Sequence, residues 1–206
     1  MDTELPEGIL VMNPFQDPVA FGLSKTFNDL YFSDNGKRIL ILGINPGRLG
    51  GGATGIPFTD PVKLQDICGI SNEMKQVTEP SAGFIYDMID TFGGPSVFYS
   101  RFLIQAVCPL GFMKEGINYN YYDDKELQRV VYPFILKSLK IICSFHVDTS
   151  VCYCLGMGKN FRFLQQLNEK ERLFRKVIPL PHPRWIVQYR RRQYEEFIQL
   201  YLKALS

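Results

Sequence analysis

A short apolar run that breaks straight into glycine constrains this chain more than any other stretch. Arg38 to Asp60 reads R-I-L-I-L-G-I-N-P-G-R-L-G-G-G-A-T-G-I-P-F-T-D. Ile39 to Ile44 has the length and apolar character of a strand buried on both faces, as strands of a parallel sheet are. In an open α/β sheet, ligands bind in the crevice beyond the carboxyl ends of the strands. Asn45, Pro46, Gly47 and the glycine run follow at that place, and glycine lets backbone approach a ligand closely. The loop from Asn45 to Phe58 is therefore the candidate active site.

The rest of the chain supplies the partners of that strand. Further strands are expected within Val97 to Val107, at Val151 to Leu155 and within Arg172 to Leu180. Amphipathic or capped helices are expected over Phe21 to Phe32, from Thr59 to about Cys68, and over Ser81 to Phe92, which Gly93-Gly94-Pro95 stops. A long helix capped by Asp123 or Asp124 runs through Ser144, another covers Lys159 to Asn168, and a last one covers Val187 to Ala204. Gly111 to Tyr122, rich in Gly, Asn and Tyr, reads as a surface loop. Strands separated by helices in this order predict an α/β fold, a three-layer α/β/α arrangement on a central, mainly parallel four-stranded sheet. A length of 206 residues suits one domain, with residues 1–20 as an extended arm.

Charge and cysteine usage narrow the class. The net charge is only +2, but residues 156–206 hold eleven Lys or Arg against four Asp or Glu. A basic C-terminal quarter suits a polyanion such as nucleic acid, or else a solvated helix face. The five cysteines, Cys68, Cys108, Cys143, Cys152 and Cys154, lie mostly in apolar stretches where reduced, buried thiols are the common state. No apolar run approaches the ~20 residues that span a bilayer, and Met1-Asp2-Thr3-Glu4 does not open a signal peptide. The expectation is an intracellular monomer with no metal and no organic cofactor.

A second motif, Leu180-Pro181-His182-Pro183-Arg184-Trp185, follows the last strand, at the same sheet edge as Asn45. Together G-I-N-P-G, T-G-I-P-F and this His-Pro-Arg segment resemble the motifs of the uracil-DNA glycosylase superfamily, in particular its single-strand-selective monofunctional branch. Ser81-Ala82-Gly83-Phe84 and the Val97 to Leu110 stretch ending in Cys-Pro-Leu extend the likeness, which runs from about Arg38 to Arg192. The resemblance implies DNA as partner and removal of a damaged base by cleavage at C1′. Asn45 would be catalytic, a neutral amide orienting the attacking water; otherwise it is a turn Asn closing its own loop. His182 would donate to the leaving base, as neutral or charged imidazole. Phe58 would be the stacking surface, unless it is one more core Phe among sixteen. Ile44, Gly47, Gln105 and Ala106 complete the expected base-binding set. Lys159, Arg184, Trp185, Arg190, Arg191 and Arg192 are the expected DNA contacts.

Three departures from the family pattern matter. The second motif lacks two residues of His-Pro-Ser-Pro-Arg, which leaves Arg184 or Trp185 to fill the gap of a flipped base. Ala106 stands where the family places an Asn that reads uracil, so discrimination falls to Gln105, to backbone groups or elsewhere. Gly51 replaces a bulkier Met and widens the pocket. No lysine is placed as a Schiff-base nucleophile, so water is the expected attacking group. The reading is a monofunctional glycosylase for uracil or a related deaminated base. Its rivals are a glycosylase for xanthine or hypoxanthine, a catalytically weak nucleic-acid binder, and a nucleotide-binding α/β protein whose glycine loop cradles phosphate.

Overall fold

The computed structural model describes residues 5–206. In chain order the strands are β1 (Ile9–Met12), β2 (Arg38–Gly43), β3 (Phe102–Ala106), β4 (Gly111–Lys114), β5 (Ile117–Tyr119), β6 (Val147–Leu155) and β7 (Val177–Leu180). The helices are α1 (Pro18–Tyr31), α2 (Gly51–Thr54), α3 (Pro61–Asp66), α4 (Pro80–Phe92), α5 (Pro95–Arg101), α6 (Lys125–Ser144), α7 (Lys159–Glu171), α8 (Pro183–Tyr189) and α9 (Tyr194–Leu205). Strands β3-β2-β6-β7 pair in that order, every pair parallel. Side chains alternate across β2 and so divide the core. Leu40 and Leu42 pack with Cys152, Cys154 and the Leu127, Val131, Ile135 and Leu139 stripe of α6. Ile41 packs on the other face with Phe84, Ile85, Phe98, Phe102, Ile186 and Tyr201. This is the three-layer α/β/α arrangement read from the sequence, with β2 at its centre because both its faces are apolar.

Register decides where the site lies. Gly43 pairs with Ala106, Leu42 with Cys154, and Leu155 with Leu180, so the carboxyl ends of all four strands stop at one edge. The chain leaves that edge through Asn45, Val107, Gly156 and Pro181.

Several local expectations are corrected. Gly111 to Tyr122 is not a loop but a hairpin, β4 and β5, turned by Glu115 and Gly116 at φ 51° and 74°; an Xaa-Gly pair with positive φ is the two-residue hairpin signal. The N-terminal segment supplies β1, antiparallel to β4; residues 1–4 of the expected arm lie outside the described residues. Pro95 starts α5, so β3 begins only at Phe102. Asp60 rather than Thr59 caps α3, accepting from the Lys63 N–H at 2.8 Å. Arg172, left-handed at φ 52°, ends α7, and β7 starts only at Val177. The expected final helix breaks at Arg190 into α8 and α9, joined by a 3-10 turn over Arg191–Gln193. Among the described residues, no helix is long and apolar enough to cross a membrane.

Candidate active site

The loop after β2 is built around one close contact. A Cβ on Gly43 would sit 2.7 Å from Cε2 of Phe58, so the ring lies directly on the bare backbone at the end of the strand. Phe58 itself holds φ 54°, a left-handed conformation that costs a bulky residue about 1–3 kcal/mol and persists only where neighbours enforce it. They are polar and buried. Thr54 donates to the Thr59 carbonyl at 2.7 Å and accepts from the Ile56 N–H at 3.2 Å, while Thr59 shares a hydrogen bond of 2.9 Å with the Tyr86 hydroxyl. The aromatic ring is thus fixed by its loop before any ligand arrives.

Asn45 extends from the same strand end and is clamped by the hairpin. Its Nδ2 donates to the Tyr119 carbonyl at 3.3 Å and its Oδ1 accepts from the Tyr121 N–H at 3.2 Å. A carbonyl oxygen carries two lone pairs, so one remains on Oδ1. A further clamp, the Asn118 side chain accepting from the Arg48 N–H at 3.2 Å, fastens the glycine loop to the hairpin.

His182 arrives from the other end of the chain. It is the N-cap of α8, with Nδ1 accepting from the Arg184 N–H at 3.1 Å. That bond makes Nδ1 the acceptor of a neutral ring and leaves the proton on Nε2. Burial, reinforced by the Arg184 charge, pushes its pKa from the usual 6.5 down to about 4. Its ring centroid stands 5.8 Å from that of Phe58. Tyr201 of α9 donates to the Pro181 carbonyl and so ties the preceding residue to the core. His146 is exposed beside the opposite end of the sheet, where its carbonyl accepts from the Arg38 N–H.

These groups line one cleft of about 410 Å³, inside the ~300–1,000 Å³ range of small-ligand sites. Asn45, Phe58 and His182 line it together with Ile44, Gly47, Ala106, Arg184 and Trp185. Gln105 does not. It lines instead, with Ile104, Phe15, Phe27 and Tyr99, a separate cavity of about 140 Å³. Lys159 is set back, its Nζ 3.7 Å from Asp123 Oδ1 and 5.8 Å over the ring of Tyr122, which does line the cleft. Arg190 stacks 4.8 Å over Trp185 at the rim, and Arg191 and Arg192 are exposed in the turn after α8. Sequence reasoning missed Asn118, Asn120 and Tyr122, which also form the wall. Their signal was the N-Y-N-Y-Y run, polar and aromatic side chains too dense for an idle loop. Among the described residues, no group of three or more His, Cys, Asp or Glu is placed to hold a metal ion.

The cleft therefore offers a flat aromatic floor, an amide with a free lone pair, and a neutral imidazole N–H, with cations around its mouth. Residues 30–206 match the model of the uracil DNA glycosylase superfamily. The crystal structure of wild-type SMUG2 from Pedobacter heparinus superposes on the chain with a TM-score of 0.95 at 43% sequence identity, covering 98% of this chain and 89% of that one. No curated protein matches the chain.

Proposed function

Because the chain belongs to the uracil DNA glycosylase superfamily, and is thus a DNA glycosylase that hydrolyses N-glycosidic bonds, we propose that it removes uracil or a related deaminated base from DNA. The base leaves the stack and lies on Phe58, where stacking on an aromatic face is worth about 1–3 kcal/mol. Cleavage at C1′ gives the sugar oxocarbenium character and puts negative charge on the leaving base. The free lone pair of Asn45 Oδ1 accepts from a water and directs it toward C1′. The Nε2–H of His182 donates to the base oxygen where charge collects, and a neutral donor aimed at a developing anion is the oxyanion-hole device. Arg184, Trp185 and the arginines after α8 meet the phosphates and the space left by the base.

The observation that carries this reading is the convergence of Asn45, Phe58 and His182 on one cleft. A second reading, excision of a deaminated purine, is favoured by Ala106, whose methyl group lines the cleft where an amide would read uracil. The purified protein should convert an oligonucleotide carrying uracil at one position to an abasic product. Matched oligonucleotides with xanthine or hypoxanthine separate the two readings. DNA binding without any abasic product would reject both.

A further inference from the structure

Resting on the role proposed for Asn45, a second buried amide explains what holds that side chain in place. The segment that clamps Asn45 is itself held from beneath. Tyr121, fully buried, packs its ring 4.8 Å from that of Phe163 and donates its hydroxyl to Asn160 Oδ1 at 2.7 Å. Asn160, 1% exposed in the first turn of α7, donates through Nδ2 to the Leu155 carbonyl at 3.1 Å and the Gly43 carbonyl at 3.4 Å. Only one orientation of each amide satisfies these partners.

The bonds and the chain close a ring. It runs from Gly43 through Ile44 to Asn45, across to the Tyr121 N–H, down the tyrosine to its hydroxyl, into Asn160, and back to the Gly43 carbonyl. Burying an amide and a phenol in an apolar layer is costly unless every partner is present. Here every partner is present, and what the ring provides that an apolar pair would not is direction. It sets the spacing between the end of β2 and the hairpin, and so the direction of the free Oδ1 lone pair.

We propose that Asn160, acting through Tyr121, is a positioning residue for Asn45. It lies under the cleft rather than among its lining residues, so it contacts neither base nor sugar. A misplacement of order 1 Å in a catalytic group can cost about 10² in rate, so loss of one bond in the ring should slow the chemical step without weakening DNA capture.

The test is a cycle on the whole chain with an oligonucleotide carrying whichever of uracil, xanthine or hypoxanthine the wild type excises, measuring the single-turnover cleavage rate, the Kd for DNA and the Tm. Tyr121→Phe keeps the ring and its packing. It should lower the cleavage rate about tenfold with Kd unchanged. Added to Asn45→Ala, it should cost nothing further, because the group it positions is gone. Asn160→Leu should repeat both results; if it does not fold, the Tyr121→Phe cycle decides alone. A fully active Tyr121→Phe, or a loss that persists undiminished on Asn45→Ala, overturns the positioning role while leaving the glycosylase reading intact. A wild-type protein that yields no abasic product from uracil, xanthine or hypoxanthine oligonucleotides overturns the function reading, and the positioning role with it.

Discussion

His182 shows how one residue can be tuned by where it is put. Its burial at the head of α8 and the neighbouring Arg184 charge favour the neutral imidazole, so in the proposed reaction it would serve as a hydrogen-bond donor rather than a cation. His182→Ala should lower the cleavage rate on the order of 10²-fold, as for a lost oxyanion donor, with little change in DNA affinity. The depressed pKa also has a sign for stability. An unfolded chain binds this proton near pH 6.5 and the folded one only near pH 4, so His182 lowers stability progressively as pH falls through that window and has no such effect above it. Thermal melts should show the wild type losing stability relative to His182→Ala as pH falls from about 6.5 to 4. Gly43 is the second residue whose neighbour sets its identity. A methyl group there would meet the Phe58 ring at 2.7 Å, and Phe58 cannot retreat without leaving a conformation its loop enforces. Gly43→Ala should cost about 1–3 kcal/mol of stability, the usual penalty of overpacking, and should raise the Kd for base-containing DNA more than that for abasic DNA.

Among the elements, the break between α8 and α9 has the clearest consequence. One helix from Val187 to Ala204 is the expectation, and the all-polar Arg190-Arg191-Arg192-Gln193 stretch carries no glycine or proline to announce the turn. The turn exposes the arginines near the cleft mouth instead of burying them in a regular helix face. Arg191→Ala should weaken binding to all DNA sequences alike and reduce the salt slope by about 1, measurable by titration at several salt concentrations. The hairpin of β4 and β5 makes the same point about legibility. β2, β6 and the stripe of α6 could be read because their faces are buried and their periods are regular. The loops after β2 and β7 could be read because turn residues and strand ends mark an α/β ligand edge, while Asn45, Phe58 and His182 stand out within them only through the resemblance to the family's motifs. The clamp of Asn118, Tyr119 and Tyr121 on the first loop could not be, since bonds between segments more than seventy residues apart, such as Asn45 to Tyr121, leave no local pattern. Gln105 lies beside the second cavity rather than the cleft, a placement that its position next to Ala106 in the sequence does not announce.

Across the whole molecule, charge and chemistry occupy different depths. The interior of the cleft offers an amide, an aromatic ring and an uncharged imidazole, while Arg184, Arg190, Arg191 and Arg192 are exposed around or beyond its mouth. Single-turnover rates at saturating enzyme should therefore change little between low and moderate salt, whereas the Kd should rise steeply; a cleavage step that falls in parallel with affinity would contradict this division. The strand register that gathers four chain ends at one edge makes the enzyme in effect two instruments stacked end to end. On the proposed function the outer one would search, and ions in the surrounding solution would loosen its grip on any stretch of DNA. The inner one would cut, indifferent to those ions once a nucleotide is seated, so a salty cell would change how often lesions are found without changing how quickly a found lesion is excised.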